Sequence, residues 1–330
     1  MKDFQMVIDM IQKARNRAFQ SVNTELINLY WEVGAFVHKK VESKEWGSKV
    51  IDELAVHIKK NHPTIKGFSR PGIYRMKQFY ETYKDYPELI QLTRKLSWTN
   101  NLLIFGSSKS IDEKEFYLRI SIKERYSKRE LIRQMDSAYF ERVMLSKEIV
   151  SPLVRQLKNQ DDLAQTFKDT YLFEFLDLPE DYSESDLKRG LISNLRKFIL
   201  ELGKGFSFMG EEYRIQVGNT DFYIDLLFFH RELQCLVCFE VKLGSFHPRD
   251  LGQLNFYLEA LDRDVKLAHE NPSVGVILCS DKDNQVVEYA LSRSLSPTMV
   301  SEYKTKLIDK AVLEAKMTEL MALKEGGEEV

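Results

Sequence analysis

A chain of 330 residues with 43% hydrophobic and 30% charged residues, 15 Gly and 8 Pro has an ordinary globular composition, long enough for two domains and neither disordered nor fibrous. No run approaches about 18 consecutive apolar residues, and the start is an amphipathic pattern without the apolar centre of a signal peptide. A cytoplasmic protein that does not engage a membrane is therefore expected. The net charge of −2 conceals an asymmetry: residues 1–150 hold 27 Lys+Arg against 19 Asp+Glu, and residues 151–330 hold 21 against 31. A basic half of this kind fits contact with a polyanion or simply solvated helix faces.

In chain order, "FQMVIDMIQKARNRAF" and "VNTELINLYWEVGAFVHKKV" repeat apolar residues at the spacing of one-sided helices. "WGSKVIDELAVHIKKNHP" is a third helix, closed by Pro63. A turn with Gly67 follows, then a helix with Ser69 as N-cap and Pro71 in its first turn, ending before Pro87. Ser127 with Glu130 three residues on predicts a capping box. Helix, turn and capped helix over 46–84 are compatible with helix-turn-helix geometry, which makes Arg70, Tyr74, Arg75 and Lys77 candidates for contact with nucleic acid. A plain α-hairpin with solvated basic residues explains the same pattern.

Residues 1–135 are thus read as a helical N-terminal domain and 136–184 as a connecting region that ends in the acidic "DLPEDYSESD". The period then changes. "LKRGLISNLRKFILELG" is a helix stopped by Gly203; "FSFMGEEYRIQVG", broken at Gly210, "DFYIDLLFFH" and "LQCLVCFEVKLG" are strands. "PRDLGQLNFYLEALDRD" is a helix, "SVGVILCS" a buried strand and "DNQVVEYALSRS" a short helix. The order α-β-β-β-α-β-α predicts an α+β domain with a mixed sheet over 185–300. Residues 301–322 read as one more surface helix before a disordered tail ending in "EGGEEV", the two making up 301–330. Of the three cysteines, Cys235 and Cys238 form a C-x-x-C, but inside a strand positions i and i+3 face opposite sides, so both are read as core residues.

The charges inside the second and third strands are costly unless they are paired, hydrogen-bonded or metal-bound. Glu240 and Lys242 leave one face of their strand. A hairpin in which Arg231 pairs with Gln234 puts Asp225 opposite Glu240, with Cβ atoms about 4.5–5.5 Å apart. Two carboxylates so close need a cation; Lys242 supplies one charge and leaves room for a hard divalent ion. Such a centre suits metal-dependent hydrolysis of a phosphodiester, with the lysine orienting or deprotonating water or stabilising developing charge. Gln253 and Tyr257, four apart on the next helix, can hold a water or a phosphate, or merely pack. Glu201, at the end of the helix before the sheet, is a further candidate ligand.

This combination resembles the PD-(D/E)xK phosphodiesterase superfamily, and more closely its YhcG-like family. The resemblance rests on "ARNRAFQSVNTELINLYWEVG", "WGSKVIDELA", "GFSRPGIYRMKQFYETY", "KLSWTN", "DFYIDLLFFHRELQCLVCFEVKLGSFHPRDLGQLNFYLEALD" and "NPSVGVILCSDKDNQVVEYALS", and covers about residues 10–320. It implies a restriction-endonuclease-like α-β-β-β-α-β domain at 185–300, behind a helical domain that binds DNA or partner proteins. Asp225, Glu240 and Lys242 match its motif, "QLNFY" resembles the Q-x-x-x-Y extension of RecB-type members, and the Val241 carbonyl would be a further metal ligand. The family's Ser-Trp-Ser-His segment is replaced here by Ser97-Trp98-Thr99-Asn100, and Asn100 cannot titrate. The resemblance implies a nuclease using Mg²⁺ or Mn²⁺ on nucleic acid, with DNA the expected substrate and a homo-oligomer or a protein partner allowed. A nucleic-acid-binding or interaction module on a nuclease scaffold, without cleavage of its own, is the alternative.

Overall fold

The structure, a computed structural model, describes residues 2–43, 50–145, 166–294, 296–307 and 309–325. Residues 146–165 of the expected connecting region, the beginning of the expected third helix and residues 326–330 of the tail lie outside them. The chain divides into two compact units, Met1–Met135 and Asp136–Val330.

The first unit is helical. The first two expected helices are one, α1 (Lys2–Glu42), followed by α2 (Val50–Asn61), α3 (Arg70–Tyr83), α4 (Pro87–Thr93), α5 (Trp98–Ser107), α6 (Ile111–Glu124) and α7 (Lys128–Asp136). The caps explain the starts. Ser69 Oγ accepts from the Gly72 amide at 3.4 Å and Pro71 lies in the first turn of α3. Ser127 Oγ likewise accepts from the Glu130 amide at 3.2 Å, while the Glu130 carboxylate accepts from Arg133 and Gln134. Ile73, Met76, Phe79 and Tyr83 form the buried face of α3, and Phe79 meets Trp98 edge-on at 5.2 Å.

Helices α1 and α3 touch backbone to backbone at Gly34, where a Cβ would collide with the Met76 carbonyl. Overpacking of a close contact typically costs 1–3 kcal/mol. Gly34→Ala should therefore destabilise this unit by about 2 kcal/mol, read from urea unfolding followed by tryptophan fluorescence. An unchanged midpoint would show that the helices separate freely at this point.

The second unit begins with α8 (Tyr139–Leu145) and β1 (Thr170–Leu172), then α9 (Glu184–Ser193), α10 (Leu195–Leu202), β2 (Phe206–Val217), β3 (Thr220–His230) and β4 (Cys235–Val241). Helix α11 (Asp250–Ala260) runs into one π-turn, and β5 (Val274–Cys279), α12 (Asn284–Leu291), β6 (Thr298–Lys304) and α13 (Lys310–Glu325) complete it. The sheet order is β1-β6-β5-β4-β3-β2. β2–β3 and β3–β4 are antiparallel, whereas β4–β5, β5–β6 and β1–β6 are parallel, so the sheet is mixed as expected.

Helices cover both faces. Leu187, Leu191, Phe198 and Leu202 of α9 and α10 pack on Leu226, Phe228, Val237, Phe239 and Val241. Leu251, Leu254, Leu258, Val287 and Leu291 of α11 and α12 pack on Ile224, Leu227, Leu236, Cys238 and Ile277. Cys235 and Cys238 fall in these two opposite cores, and burial pushes the Cys235 thiol up to about 12. Both are inert core residues.

Three expectations need correction. The sheet gains β1 and β6 at one edge, so 298–304 is strand and the C-terminal helix begins at Lys310, not near 301. The charged residues of this segment mask its strand character in the sequence: Thr298–Glu302 lies beside Gly275–Cys279. β1, within the expected connecting region, pairs with Glu302–Lys304. Finally, the helix expected up to Gly203 breaks at Asn194 (φ −111°, ψ 28°), although Gly203, with φ 111°, does stop it.

Candidate active site

Strand β4 is buried along its whole length because it lies inside the sheet, between β3 and β5, under helices on both faces. Its C-terminal end carries Glu240, 2% exposed, and the chain continues to Lys242, whose amide donates to the Leu278 carbonyl at 2.8 Å. The β3–β4 register is the one the sequence suggested: His230 pairs with Cys235, and the ladder runs to Leu226 opposite Phe239.

Asp225, the next position, closes the site in a different way. Its Oδ2 accepts from the Val241 amide at 2.8 Å, a bond that crosses toward β4 where the β3–β4 ladder stops. The apolar residues change sides here: Phe222 and Ile224 face the α11 layer, as does Leu227, whereas Leu226 and Phe228 face the other. Opposite this kink Glu212 takes φ 43° on β2. The local irregularity lets a carboxylate on a core strand reach the strand end.

Four charged groups then meet. Lys242 Nζ donates to Glu240 Oε1 at 2.9 Å, and Lys188 Nζ, from α9, donates to Asp225 Oδ1 at 2.6 Å. Lys188 also lies 3.2 Å from Glu184 Oε1, one turn earlier on its helix. Burial and then the nearby Asp225 charge push Glu240 up to about 7, against the pull of Lys242 and Lys188. Burial pulls both lysines down, but their carboxylate partners outweigh it and raise them. Both ammoniums are charged.

The other expected residues fall in different places. On α11, Gln253 Nε2 donates to Tyr257 Oη at 2.8 Å. Burial, opposed by that bond and aided by Glu240 and Asp225, raises the phenol, which puts Tyr257 within the field of the two acids. Glu201 is committed elsewhere: its Oε1 accepts from the Leu172 amide at 3.1 Å and lies 3.0 Å from Lys168 Nζ. The groups that act on Glu240 are Asp225, Lys242 and Lys188.

In the first unit Tyr74 and Arg75 are exposed on α3, while Arg70 pairs with Asp52 at 2.6 Å and the mostly buried Lys77 with Glu81 at 2.6 Å. Asn100 is a structural tie, its side chain donating to the Tyr126 carbonyl at 3.1 Å. Lys188 and Glu184 escaped sequence reasoning. Their only signal was an acid and a base four apart just inside a helix, a pattern that helices share widely.

A hard divalent cation takes carboxylate oxygens, waters and phosphate oxygens. Glu240 Oε2 is buried and has no hydrogen-bond partner among the described residues, an orphaned acceptor beside a second carboxylate. The residues therefore fit such an ion. Among the described residues no group of three or more His, Cys, Asp and Glu could hold it, so protein side chains alone do not fill a coordination sphere.

Comparison with known proteins places both halves of the chain. The model of the YhcG PDDEXK nuclease domain matches residues 164–318, which contain Asp225, Glu240, Lys242 and Lys188, and that of the DUF1016 N-terminal domain matches residues 6–142. The chain belongs to the YhcG-like family of PD-(D/E)xK nucleases. A relative of this YhcG-like chain, from Escherichia coli (strain K12) and named "Putative nuclease YhcG", is 29% identical over 355 residues, covering 97% of this chain and 94% of the relative.

Among solved structures, a repair endonuclease from Pyrococcus abyssi is similar at 18% identity and a TM-score of 0.27, over 38% of this chain and 50% of that one. The structure of an EndoMS–dsDNA2 complex is similar at 16% identity and 0.28, over 39% and 51%. The YhcG-like chain spans about half the length of each. Its second unit has the restriction-endonuclease-like fold and carries the nuclease domain of the family. No helix among the described residues is long and apolar enough to cross a membrane.

Proposed function

We propose that this protein hydrolyses phosphodiester bonds of DNA with Mg²⁺ or Mn²⁺ bound at Asp225 and Glu240. The observation that carries the proposal is the buried Glu240 Oε2, without a hydrogen-bond partner among the described residues, in a cluster that also holds Asp225 and two ammoniums. The bound ion supplies Lewis acidity toward the phosphate and lowers the pKa of water.

The chain's own residues do the rest. Asp225 is fixed by the Val241 amide, which sets its carboxylate at the strand end, and the Val241 carbonyl is the proposed backbone ligand. Glu240 is held by Lys242 through one oxygen only. Lys242 is charged, so its proposed part is to stabilise charge that builds on the phosphate and to orient the attacking water, not to take a proton from it. Gln253 and Tyr257 form one hydrogen-bonded unit, suited to holding a water or a phosphate oxygen. Attack by water needs no ribose 2′-hydroxyl, so DNA can serve, and DNA is the substrate proposed. Tyr74 and Arg75, with Arg70 and Lys77 once released from their acids, are the proposed contacts of the helical unit.

The test is cleavage of labelled linear, supercoiled, branched and single-stranded DNA and of RNA, with Mg²⁺, Mn²⁺ or EDTA. Metal-dependent cutting that falls by on the order of 10³-fold or more in Asp225→Ala is expected. If no substrate is cut, or the variant cuts equally well, the protein is a binding module on a nuclease scaffold. Salt-dependent retention of DNA would then show it directly.

A further inference from the structure

We infer that Lys188 is an exchangeable counter-ion of the candidate metal centre: it occupies Asp225 in the resting protein and withdraws onto Glu184 when a divalent cation takes its place. The inference rests on the metal-centre reading above. Three observations carry it. Of the two Asp225 oxygens, Oδ2 is fixed by the Val241 amide and Oδ1 is held by the Lys188 ammonium at 2.6 Å. A backbone partner cannot leave, but a side chain can. The same ammonium already lies 3.2 Å from Glu184 Oε1 on its own helix, so a second seat is in reach without moving α9. Its side chain is 26% exposed and can change rotamer toward solvent, unlike a wholly enclosed group.

The charges make the exchange necessary. With every group ionised, Asp225, Glu240 and Glu184 with Lys188 and Lys242 sum to −1, a modest charge for attracting a dication. An ammonium left on Oδ1 would repel the arriving ion at contact distance. Lys242 raises no such conflict, because it holds Glu240 Oε1 and leaves Oε2 open. Lys188 thus sets the threshold of metal occupancy, keeping the acids paired when the ion is scarce.

The test is direct Mn²⁺ binding to the full chain without substrate, by electron paramagnetic resonance of the free ion and by the shift of unfolding temperature with Mn²⁺. Lys188→Met is expected to tighten Mn²⁺ binding about tenfold. Lys188→Arg keeps the charge but can grip a carboxylate with two parallel hydrogen bonds, and should weaken binding several-fold. A general charge effect would leave Arg equal to Lys. Asp225→Asn should lose the site. Unaltered or weaker binding in Lys188→Met overturns the inference, and so does a Lys188→Arg protein equal to the unmodified one. Should the unmodified protein bind Mn²⁺ no better than Asp225→Asn, the metal-centre reading itself falls. Circular dichroism of each metal-free variant confirms that it is folded, and a Lys188→Gln protein replaces Lys188→Met if the latter is not.

Discussion

Lys242→Ala should lower metal-dependent cleavage by on the order of 10²–10⁴-fold without weakening Mn²⁺ binding. The split is the informative part. Lys242 touches Glu240 Oε1, not the orphaned Oε2, so its removal strips one cation from the site without taking a ligand from the metal. What disappears is a fixed positive charge that is 22% exposed at the strand end, where a phosphate can approach it. Preorganised charge acts at low dielectric without reorganising, and this is the usual source of such large factors.

Lys242→Arg should recover only part of the loss. A guanidinium presents a planar fork and would engage both oxygens of Glu240, competing for Oε2. Rates and Mn²⁺ affinities measured on the same preparations separate the cases. A variant that loses metal and rate together would make Lys242 a structural support of Glu240, and one that loses neither would remove it from the mechanism.

The same site shows what was legible in the sequence. Glu240 and Lys242 could be found because strand periodicity alone puts i and i+2 on one face. Asp225 followed from the hairpin sum, and the observed pairing of His230 with Cys235 gives that sum. The kink that turns Asp225 toward Val241 was not visible, since it depends on Ile224 and Leu226 choosing opposite helix layers. Lys188 was out of reach for a related reason: its contact spans 37 residues, and the direction of its helix face is settled by how Leu187 and Leu191 enter the core. Strand β1, three residues long, is too short for any period to show; it exists because β6 offers it an edge. The local patterns therefore gave the motif strand, while packing between distant elements completed the charge set around it.

Glu240→Gln should stabilise the metal-free protein by about 3 kcal/mol at pH 8 and by less than about 1 kcal/mol at pH 5. The sign follows from the direction of the shift. Burial and the Asp225 charge raise Glu240 from 4.5 to about 7 in the folded state, and unfolding returns it to its ordinary value. Below the unfolded value both states hold the proton and the group contributes nothing to the difference. As pH climbs from 4.5 to 7 the unfolded chain releases the proton first, so folding loses stability, and above 7 the full cost of a buried, half-paired carboxylate is present. Gln is neutral throughout and can still accept from Lys242, so the variant escapes the loss. Taking the difference between variant and unmodified protein cancels the titrating groups that do not interact with Glu240, leaving Glu240 and its partners Asp225, Lys242 and Lys188.

Mn²⁺ should reverse the order at pH 8. A cation on Oε2 stabilises the ionised acid and, binding only the folded state, adds stability with concentration. The neutral amide gains far less. Urea midpoints at pH 5 and 8, each with EDTA and with Mn²⁺, give the four quantities needed. If Glu240→Gln were the less stable protein at pH 8 in EDTA, Glu240 would be adequately paired without metal. The case for an ion at that oxygen would then lose its physical cause.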